Sequence, residues 1–432
     1  MPYNLTDVTL GDNVKTLSDH MFADCGFTSI NLNKVTTIGK SPLHNSKITS
    51  ITIPSTTTEI KDYAFYNCKN LSSITFSSGT EPVYIGYQPG INEVGPFAQS
   101  PLTEVNLDRN LLPTSSYASA CNESDEGIFS NNANLTSVTL GENVKVLSDY
   151  MFANCGFTSI NLNKVNTIGK YAFRYSKITS LTVPESVSEI KDFAFYNCKN
   201  LSSITINSSD QPLTIGFQDA NDERGPFYQS PLSYINVDRH IVPNDNFAAS
   251  QDEWDEGIFS NEYYNKDGIT WTTKVIIGNN VTNIARYMFS AVRMTQIHFH
   301  DGITYIGKGA VDKCPQLDAI VFYNQTTRPT LEDDALGEYT LNPDYLPETP
   351  IDYSQYYVFV PRGSKYYNYV DLTALGANKT YWENISRIIT DNNGATDPQV
   401  ARKHESRYLD REGYEWYTKR YINHEIITPP TE

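Results

Sequence analysis

Apolar residues recur along the chain in a short pattern, apolar-x-x-apolar-x-apolar, which returns about every 22 residues. Examples are LSSITF at 71–76, LTSVTL at 135–140 and ITSLTV at 178–183. Alternation of apolar and polar positions over such a short segment predicts a half-buried β-strand. One unit of this length buries too little apolar surface to fold alone, so successive units must stack and share one core.

Two further apolar motifs follow each predicted strand. The first is V-x-x-I, as in Val165 and Ile168, which predicts a second inward-facing column. The second is A-F-x-x-C/S-x-x-L, whose aromatic residue marks the phase of each unit. This aromatic column comprises Phe22, Phe65, Phe97, Phe129, Phe152, Phe173, Phe195, Phe227, Phe259 and Phe289, with Leu43 in one position. Segments that precede the phenylalanine, such as SDYMF at 148–152, suit one helical turn begun by a Ser or Asp cap.

The chain also repeats on a larger scale. Residues 4–131 align with residues 134–261 without a gap, and a third, diverged copy starts near Thr273 and fades after Phe322. The predicted organisation is a solenoid over 1–322, with 130-residue modules 4–133 and 134–263 and a diverged third module 264–322, followed by a C-terminal repeat or cap region 323–389 and a tail or capping helix 390–432. We therefore predict a curved, right-handed stack of about a dozen turns, with one parallel β-sheet and short helical turns.

Together, the strand pattern and A-F-x-x-C-x-x-L resemble the BspA-like class of bacterial surface leucine-rich repeat proteins. The resemblance covers residues 4 to about 322, and YVFVPRGSKYYNYV and YWENISRI within 357–388 resemble the way many such solenoids end. It implies a β-dominated leucine-rich repeat solenoid. It also implies a surface-exposed or secreted microbial protein associated with adhesion to host matrix proteins or other cells, although the family has no binding motif that maps onto this chain.

The charge of the chain excludes two classes of partner. The formal net charge is −17, and the chain contains no run of Lys or Arg. Nucleic acids and anionic membranes require positive surfaces, so neither is expected as a partner. No stretch approaches the roughly 20 apolar residues of a transmembrane helix.

The first residues, MPYNLTDVTL, lack the basic and apolar regions of a signal peptide. Taken alone, this indicates a cytosolic protein, or one whose targeting segment has been removed. The chain opens inside a repeat, and solenoids need terminal caps. We therefore expect upstream sequence to be missing, and an extracellular or cell-surface location.

One position in each repeat unit holds Cys, Ser or Asn, and this exchange shows how the cysteines should be interpreted. The stretch AFYNCKNLSSIT occurs identically at 64–75 and 194–205. Its cysteine position reads, in successive units, Cys25, Ser46, Cys68, Ser100, Asn132, Cys155, Ser176, Cys198 and Ser230. A nucleophile or thiolate ligand could not be replaced by serine in alternate units. We predict structural turn thiols at Cys25, Cys68, Cys155 and Cys198.

Disulfides between these units are disfavoured by distance. Cys25 and Cys68 lie two units apart, which is about 9.6 Å at the strand spacing and beyond the roughly 7 Å limit between bridged Cα atoms. A disulfide that involves Cys121, which lies in an expanded loop, stays an open alternative. No disulfide partner is evident for Cys314.

Few other residues suggest chemistry. His298 and His300, in an HFHD segment with Asp301, occupy alternate strand positions that share a face and could chelate a metal, but surface residues are the favoured interpretation. Acidic residues at 125–126 and 252–256 match no calcium-loop spacing and are expected to be solvated. No nucleophile, P-loop or zinc-protease motif occurs, so we expect no catalytic residue, no metal and no cofactor.

Two surfaces could bind a partner. The outward strand positions carry mainly Ser, Thr and Asn, which either favour flat stacking or contact an extended, sugar-like ligand through many weak hydrogen bonds. The expanded units at 81–102 and 211–232 each insert about ten residues rich in Tyr, Phe, Asn and Gln, and such insertions often lie on the binding face. The candidate binding residues there are Tyr84, Tyr87, Phe217, Asp219 and Tyr228.

The function predicted from these features is non-enzymatic recognition at a cell surface or after secretion. The expected partner is a host matrix protein, a neighbouring cell surface or a glycan. The alternative is a structural spacer that displays another domain. An enzyme is disfavoured because no nucleophile, base and orienting group occur together outside the repeats.

Overall fold

A computed structural model describes part of the chain. The described residues are 5–86, 95–97, 99–114, 127–216, 225–244, 257–260, 272–312, 314, 317, 319–323, 329–332, 335–336, 357–361, 408–409 and 415–417. The chain divides into two compact units. The first unit comprises Met1–Ser202, Thr214–Gln218 and Pro226–Pro231, and the second comprises Ser203–Leu213, Asp219–Gly225 and Leu232–Glu432.

Short strands make up the regular structure of both units. In chain order they are β1 (Thr16–Leu17), β2 (Thr37–Ile38), β3 (Ser50–Ile53), β4 (Glu59–Ile60), β5 (Ser73–Phe76), β6 (Val83–Ile85), β7 (Glu104–Leu107), β8 (Leu111–Pro113), β9 (Ser137–Leu140), β10 (Val146–Leu147), β11 (Thr167–Ile168), β12 (Ser180–Val183), β13 (Glu189–Ile190), β14 (Ser203–Ile206), β15 (Leu213–Ile215), β16 (Tyr234–Val237), β17 (Ile241–Pro243), β18 (Lys274–Ile277), β19 (Asn283–Ile284), β20 (Gln296–Phe299), β21 (Tyr305–Ile306), β22 (Ala319–Phe322), β23 (Thr330–Leu331), β24 (Tyr357–Pro361), β25 (Tyr408–Leu409) and β26 (Glu415–Tyr417).

The first unit contains two kinds of parallel sheet. The four-residue strands pair in the order β3, β5, β7 and β9, so that Ser50 lies beside Ser73 and Thr52 beside Thr75. The shorter strands pair separately, in the order β1, β2, β4, β6 and β8. Strands β10, β11, β13 and β15 pair in parallel in the same manner.

The second unit repeats this arrangement and ends differently. Parallel pairing joins β14, β16 and β18, then β20, β22 and β24, and separately β19, β21 and β23. Strand β26 pairs antiparallel with both β24 and β25. The residues described beyond 390 are thus strands, while the rest of the predicted tail or capping helix lies outside the described residues. The predicted module boundaries stay predictions.

The predicted leucine-rich repeat fold is confirmed, but the prediction of a single parallel sheet is wrong. The V-x-x-I segments, expected only to supply a second inward column, form a parallel sheet of their own. In each segment the last apolar residue is buried, as at Ile38 and Ile60, which lie side by side. Two paired residues suffice for this sheet because the neighbouring repeat supplies the hydrogen bonds on either side.

The expected helical turns are also corrected, since no helix occurs in the described part of the chain. Before Phe152 the backbone N–H groups of Tyr150 and Phe152 donate to Lys170 and Ala172 of the next repeat, at 2.9 and 2.8 Å. A helix would direct these donors to the residue four positions back. Tyr150 and Asn154 also have positive φ angles, 56° and 55°, which a right-handed helix excludes.

The core of the first unit is built around the aromatic column. Phe22 is half-buried, whereas Leu43 and the phenylalanines from Phe65 to Phe227 are fully buried. Successive rings stack with centroid distances between 5.1 and 6.0 Å across Phe65, Phe97, Phe129, Phe152, Phe173, Phe195 and Phe227. In the second unit Phe259 and Phe289 stack at 5.8 Å. Each repeat therefore places one ring on the same axis.

Candidate functional site

In six of the turns the small residue makes the same hydrogen bond to the preceding turn. The thiol of Cys198 donates to the carbonyl oxygen of Phe173 at 3.0 Å, and that of Cys68 donates to Leu43 at 3.0 Å. Cys155 and Cys314 make the same bond to Phe129 and Phe289, at 3.2 and 3.1 Å. The hydroxyls of Ser100 and Ser230 make it to Phe65 and Phe195, at 2.7 and 2.8 Å. Cysteine and serine are therefore equivalent donors at this position.

Burial makes these thiols unreactive. It raises the pKa of both Cys155 and Cys198 to about 12. The pKa of Cys68 is raised by burial, and that of Cys25 by burial and by the charge of Asp24. The thiolate is the form that attacks an electrophile or binds a metal, so a raised pKa disfavours both roles. None of the five described cysteines forms a disulfide, and Cys121 lies outside the described residues.

The two histidines of the HFHD segment contact different partners. His298 Nδ1 lies 2.9 Å from the hydroxyl of Tyr323, and burial lowers its pKa to about 4. Both ring nitrogens of His300 contact backbone, since Nε2 lies 3.1 Å from the carbonyl of Gly278 and Nδ1 accepts the N–H of Gly302 at 3.0 Å. Among the described residues no group of three or more His, Cys, Asp or Glu could hold a metal ion. The acidic loops at 125–126 and 252–256 are not described.

Two buried arginines were not found from the sequence. Arg109 is 1% exposed, and its guanidinium donates to the carbonyl oxygens of Glu81, Pro54 and Ser55 at distances of 2.6 to 3.3 Å. Arg239, at the same position of the second copy, donates in the same way to Gln211 and Pro212. The sequence feature that could have pointed to these arginines is the Asp-Arg pair that recurs at 108–109 and 238–239. These guanidiniums tie expanded segments to the core rather than present charge to a ligand.

The predicted binding residues have different environments. Tyr84, in β6, is 49% exposed, while Tyr228 is 2% exposed and stacks on Tyr196 at 5.8 Å. The structure thus gives Tyr228 a packing role, and a role in binding stays a prediction. Tyr87, Phe217 and Asp219 lie outside the described residues.

The outward side of the four-residue strands is polar, as expected. Its side chains are exposed or half-buried: Ser50, Thr52, Ser73, Thr75, Glu104, Asn106, Ser137, Thr139, Ser180 and Thr182. The hydroxyls that precede these strands bond between repeats, as Ser72 does to Thr49 at 3.2 Å and Thr103 to Ser72 at 3.1 Å. Part of the hydroxyl pattern therefore stabilises stacking.

An aromatic and cationic cluster occurs in the second copy. The guanidinium carbon of Arg174 lies 5.2, 4.7 and 5.4 Å from the ring centres of Tyr171, Tyr175 and Tyr196. We call these four residues the Arg174 cluster. Tyr175 is 41% exposed, and Arg174 and Tyr196 are half-buried. The sequence signal was the replacement of SPLHN at 41–45 by YAFRY at 171–175, between identical flanks.

Comparison with protein families decides the affiliation of the chain. A family model described as "BspA type Leucine rich repeat region" matches six copies, over residues 1–120, 122–251 and 257–359. The chain belongs to the BspA-type leucine-rich repeat family. No protein with a curated description matches this BspA-type chain. In the described ranges, no helix combines the length and apolar character needed to cross a bilayer.

Several solved structures are similar to this BspA-type protein. A leucine-rich repeat protein from Bacteroides ovatus shares 21% identity, with 76% of this chain and 68% of that chain covered and a TM-score of 0.43. A leucine rich cell surface protein from Faecalibacterium prausnitzii shares 18%, with 72% and 84% covered and a TM-score of 0.27. The pneumococcal vaccine antigen PcpA shares 15%, with 77% and 82% covered and a TM-score of 0.29.

Proposed function

We propose that this BspA-type protein is a non-enzymatic recognition protein, secreted or held at a cell surface. Its expected role is adhesion to a host matrix protein, a cell surface or a glycan. One observation carries the proposal: the recurring thiols are buried and bonded to backbone, whereas an exposed aromatic residue leads into an expanded unit. That residue is Tyr84, at 49% exposure.

Tyr84 is positioned by regular structure on both sides. It lies beside Glu59 of β4 and Leu112 of β8 in the parallel sheet. Val83 and Ile85 on either side of it are fully buried, so the strand is fixed while the Tyr84 ring faces outward. Tyrosine is enriched among the residues that dominate binding energy at interfaces. A rigid strand that presents a tyrosine costs little ordering entropy on binding.

Retention on immobilised host matrix proteins and on a glycan array tests the proposal. The full chain should be retained by at least one ligand, and the variant Tyr84→Ala/Tyr87→Ala/Phe217→Ala should lose that binding. Met21→Ala is the matched control, because Met21 is 47% exposed but lies outside both expanded units. Undiminished binding by the folded triple variant would exclude the expanded units as the site.

The alternative is a structural spacer that displays another domain. The hydrogen bonds of Ser72 and Thr103 to preceding repeats favour it, because they give the outward strands a stacking role. Failure of the folded chain to bind any matrix protein or glycan would contradict the adhesion proposal and leave the spacer.

A further inference from the structure

The two aligned modules differ most sharply at one turn. Residues 41–45 and 171–175 differ at all five positions, while IGK before them and SKITS after them are identical. Substitutions within a shared core keep an apolar side chain, as at Leu43 and Phe173, which are both fully buried. The replacement of Asn45 by Tyr175 does not follow this rule, because Tyr175 is 41% exposed.

Tyr175 also occupies a position that disfavours tyrosine. Its φ angle is 59°, in the left-handed region that asparagine tolerates better than most residues. Equivalent turn positions with positive φ are held by Asp24, Asn45, Asn67, Gln99, Asn131, Asn154, Asn197, Gln229 and Ala291. Tyrosine also takes a positive φ two positions before the phenylalanine, at Tyr63, Tyr150, Tyr171 and Tyr287, but those side chains are buried or half-buried. A strained tyrosine that gains little burial needs another reason to be present, and such outliers concentrate at functional sites.

The tyrosine further interrupts a ladder of side-chain amides. In the first copy the amide of Asn45 donates to Asp24 at 2.7 Å, and that of Asn67 donates to Asn45 at 3.3 Å. In the second copy the residue equivalent to Asn45 is Tyr175, and the buried Oδ1 atom of Asn197 has no hydrogen-bond partner. The exchange therefore removes hydrogen bonds that the first copy makes.

The same exchange reverses the local charge. Asp24 with neutral His44 gives −1 in the first copy, and Asn154 with Arg174 gives +1 in the second. The two residues are adjacent, since the N–H of Asn154 donates to the carbonyl of Arg174 at 2.6 Å. Lys170 lies 5.4 Å from the ring centre of Tyr171, but the first copy has Lys40 at this position, and Asp149 and Asp192 lie near Lys170. The cation that the second copy gains is therefore Arg174, and on a chain of net charge −17 a gained cation favours an anionic partner.

The ring geometry argues against a stacked sugar. Tyr171 is sandwiched between Tyr150 and Phe193, with ring centres 4.8 and 5.0 Å away. Tyr196 stacks on Tyr228, and Arg174 lies over Tyr175. Both faces of Tyr171, one face of Tyr196 and one face of Tyr175 are thus occupied, so no ring of the cluster offers both faces to a saccharide. A ring whose face carries a cation offers its positive edge and its hydroxyl, which suit a carboxylate.

We propose that the Arg174 cluster binds an acidic segment of a protein partner, with Arg174 contacting a carboxylate and Tyr175 supplying the exposed contact surface. Tyrosine and arginine are the residue types most enriched among interface hot spots. This inference rests on the proposed recognition function but uses a surface separate in sequence from the expanded units.

The first copy supplies variants that are compatible with the fold. Asn154→Asp/Arg174→His/Tyr175→Asn restores three residues of the first copy. The ladder returns and the strain of Tyr175 disappears, so the thermal unfolding temperature should not fall. Ser137→Asp/Gln211→Glu is the control, because it also changes the net charge by −2, at two exposed positions where the first copy has Asp7 and Glu81.

Fluorescence anisotropy with labelled poly-L-glutamate measures the interaction on the full chain. Near physiological salt, screening over about 8 Å suppresses the repulsion by the net charge of the chain and leaves the local contact. The triple variant should bind about tenfold more weakly or worse, and the charge-matched control Ser137→Asp/Gln211→Glu should stay within about twofold of the wild type. Labelled polygalacturonate, an anionic polysaccharide, should bind more weakly than poly-L-glutamate.

Three results would overturn the inference. They are no binding of poly-L-glutamate, equal binding by the triple variant, and preference for polygalacturonate, which would assign the cluster to a polysaccharide. The proposed adhesion is judged separately by retention on matrix proteins. If the chain is retained on matrix proteins but does not bind poly-L-glutamate, only the proposed role of the Arg174 cluster is refuted. If it binds poly-L-glutamate but is not retained on matrix proteins, only the proposed adhesion is refuted.

Discussion

The thiol of Cys198 and the carbonyl oxygen of Phe173, one repeat earlier, are joined by a hydrogen bond of 3.0 Å. Ser230 makes the corresponding bond to Phe195 at 2.8 Å. In six turns a small donor thus bonds to the phase-marking residue of the preceding turn. Serine makes this bond as well as cysteine does, so it does not require a thiol.

Substitution of Cys198 should separate the hydrogen bond from the thiol. Cys198→Ser keeps a donor at the same position and should change the free energy of unfolding by less than about 1 kcal/mol. Cys198→Ala removes one of the two hydrogen bonds to the carbonyl of Phe173, which still accepts the N–H of Ser176 at 2.9 Å, and should cost about 0.5–1.5 kcal/mol more than Cys198→Ser. Thermal and urea unfolding measure both. Equal destabilisation by the two substitutions would show that the bond does not matter.

The buried thiols should not react in the folded protein. Because the pKa of Cys155 and Cys198 is about 12, their thiolates are absent at pH 8. In a Cys121→Ser background, a chromogenic disulfide reagent should label no thiol at pH 8 until denaturant is added, and then five. Rapid labelling of the native protein would contradict the burial of these side chains.

The same shift makes stability fall in alkali. The folded pKa lies above the ordinary value of 9.0, so folding favours the protonated thiol. Its contribution is complete below about pH 9 and is lost as the pH rises towards 12. The unfolding temperature of Cys198→Ser should therefore fall less between pH 9 and 11 than that of the wild type.

The aromatic column predicts that Phe173→Ala lowers the free energy of unfolding more than Phe173→Leu does. Phe173 stacks on Phe152 and Phe195 with ring centres 6.0 and 5.1 Å away. Phe173→Ala should cost about 3–5 kcal/mol because it opens a cavity in this stack. Phe173→Leu reproduces the buried Leu43 of the first copy and should cost less than about 1.5 kcal/mol. Urea unfolding distinguishes them, and equal costs would mean that ring stacking rather than volume dominates.

The sequence predicted the features that recur in every unit. Phe65 and its equivalents recur at nearly constant spacing, because each repeat must place the same shape on the same axis. The second sheet was missed because segments such as Thr37–Ile38 pair over two residues, too few for an alternating pattern. The turns were mistaken for helix because apolar spacing does not reveal a positive φ angle at Tyr150 or Asn154.

Residues whose role occurs in only one or two repeats were the hardest to predict. Arg109 has no counterpart in most repeats, and its partners are backbone carbonyls, which carry no sequence signal. The Arg174 cluster is likewise visible only when the two modules are compared position by position. Uniform repeats therefore predict the scaffold well, and departures from uniformity locate candidate sites.

The ion pair between Arg286 and Glu332 should make part of the stability pH-dependent. Both contacts between the guanidinium and the carboxylate measure 2.6 Å, and the N–H of Lys308 donates to the same carboxylate at 2.8 Å. Partial burial alone would raise the pKa of Glu332, but hydrogen bonds from Arg286, Tyr305 and Lys308 outweigh it and lower the pKa to about 2.

A carboxylate with a lowered pKa stabilises the fold above its ordinary pKa of 4.5 and loses this effect as the pH falls towards 2. Glu332→Gln should therefore cost about 1 kcal/mol at pH 7 and almost nothing near pH 2. Glu142→Gln is the control, because the pair of Glu142 with Lys164 has side chains 75% and 47% exposed and should contribute nothing measurable. Unfolding temperatures between pH 2 and 7 test both variants, and a Glu332→Gln deficit that is constant over this range would refute the ion pair as its cause.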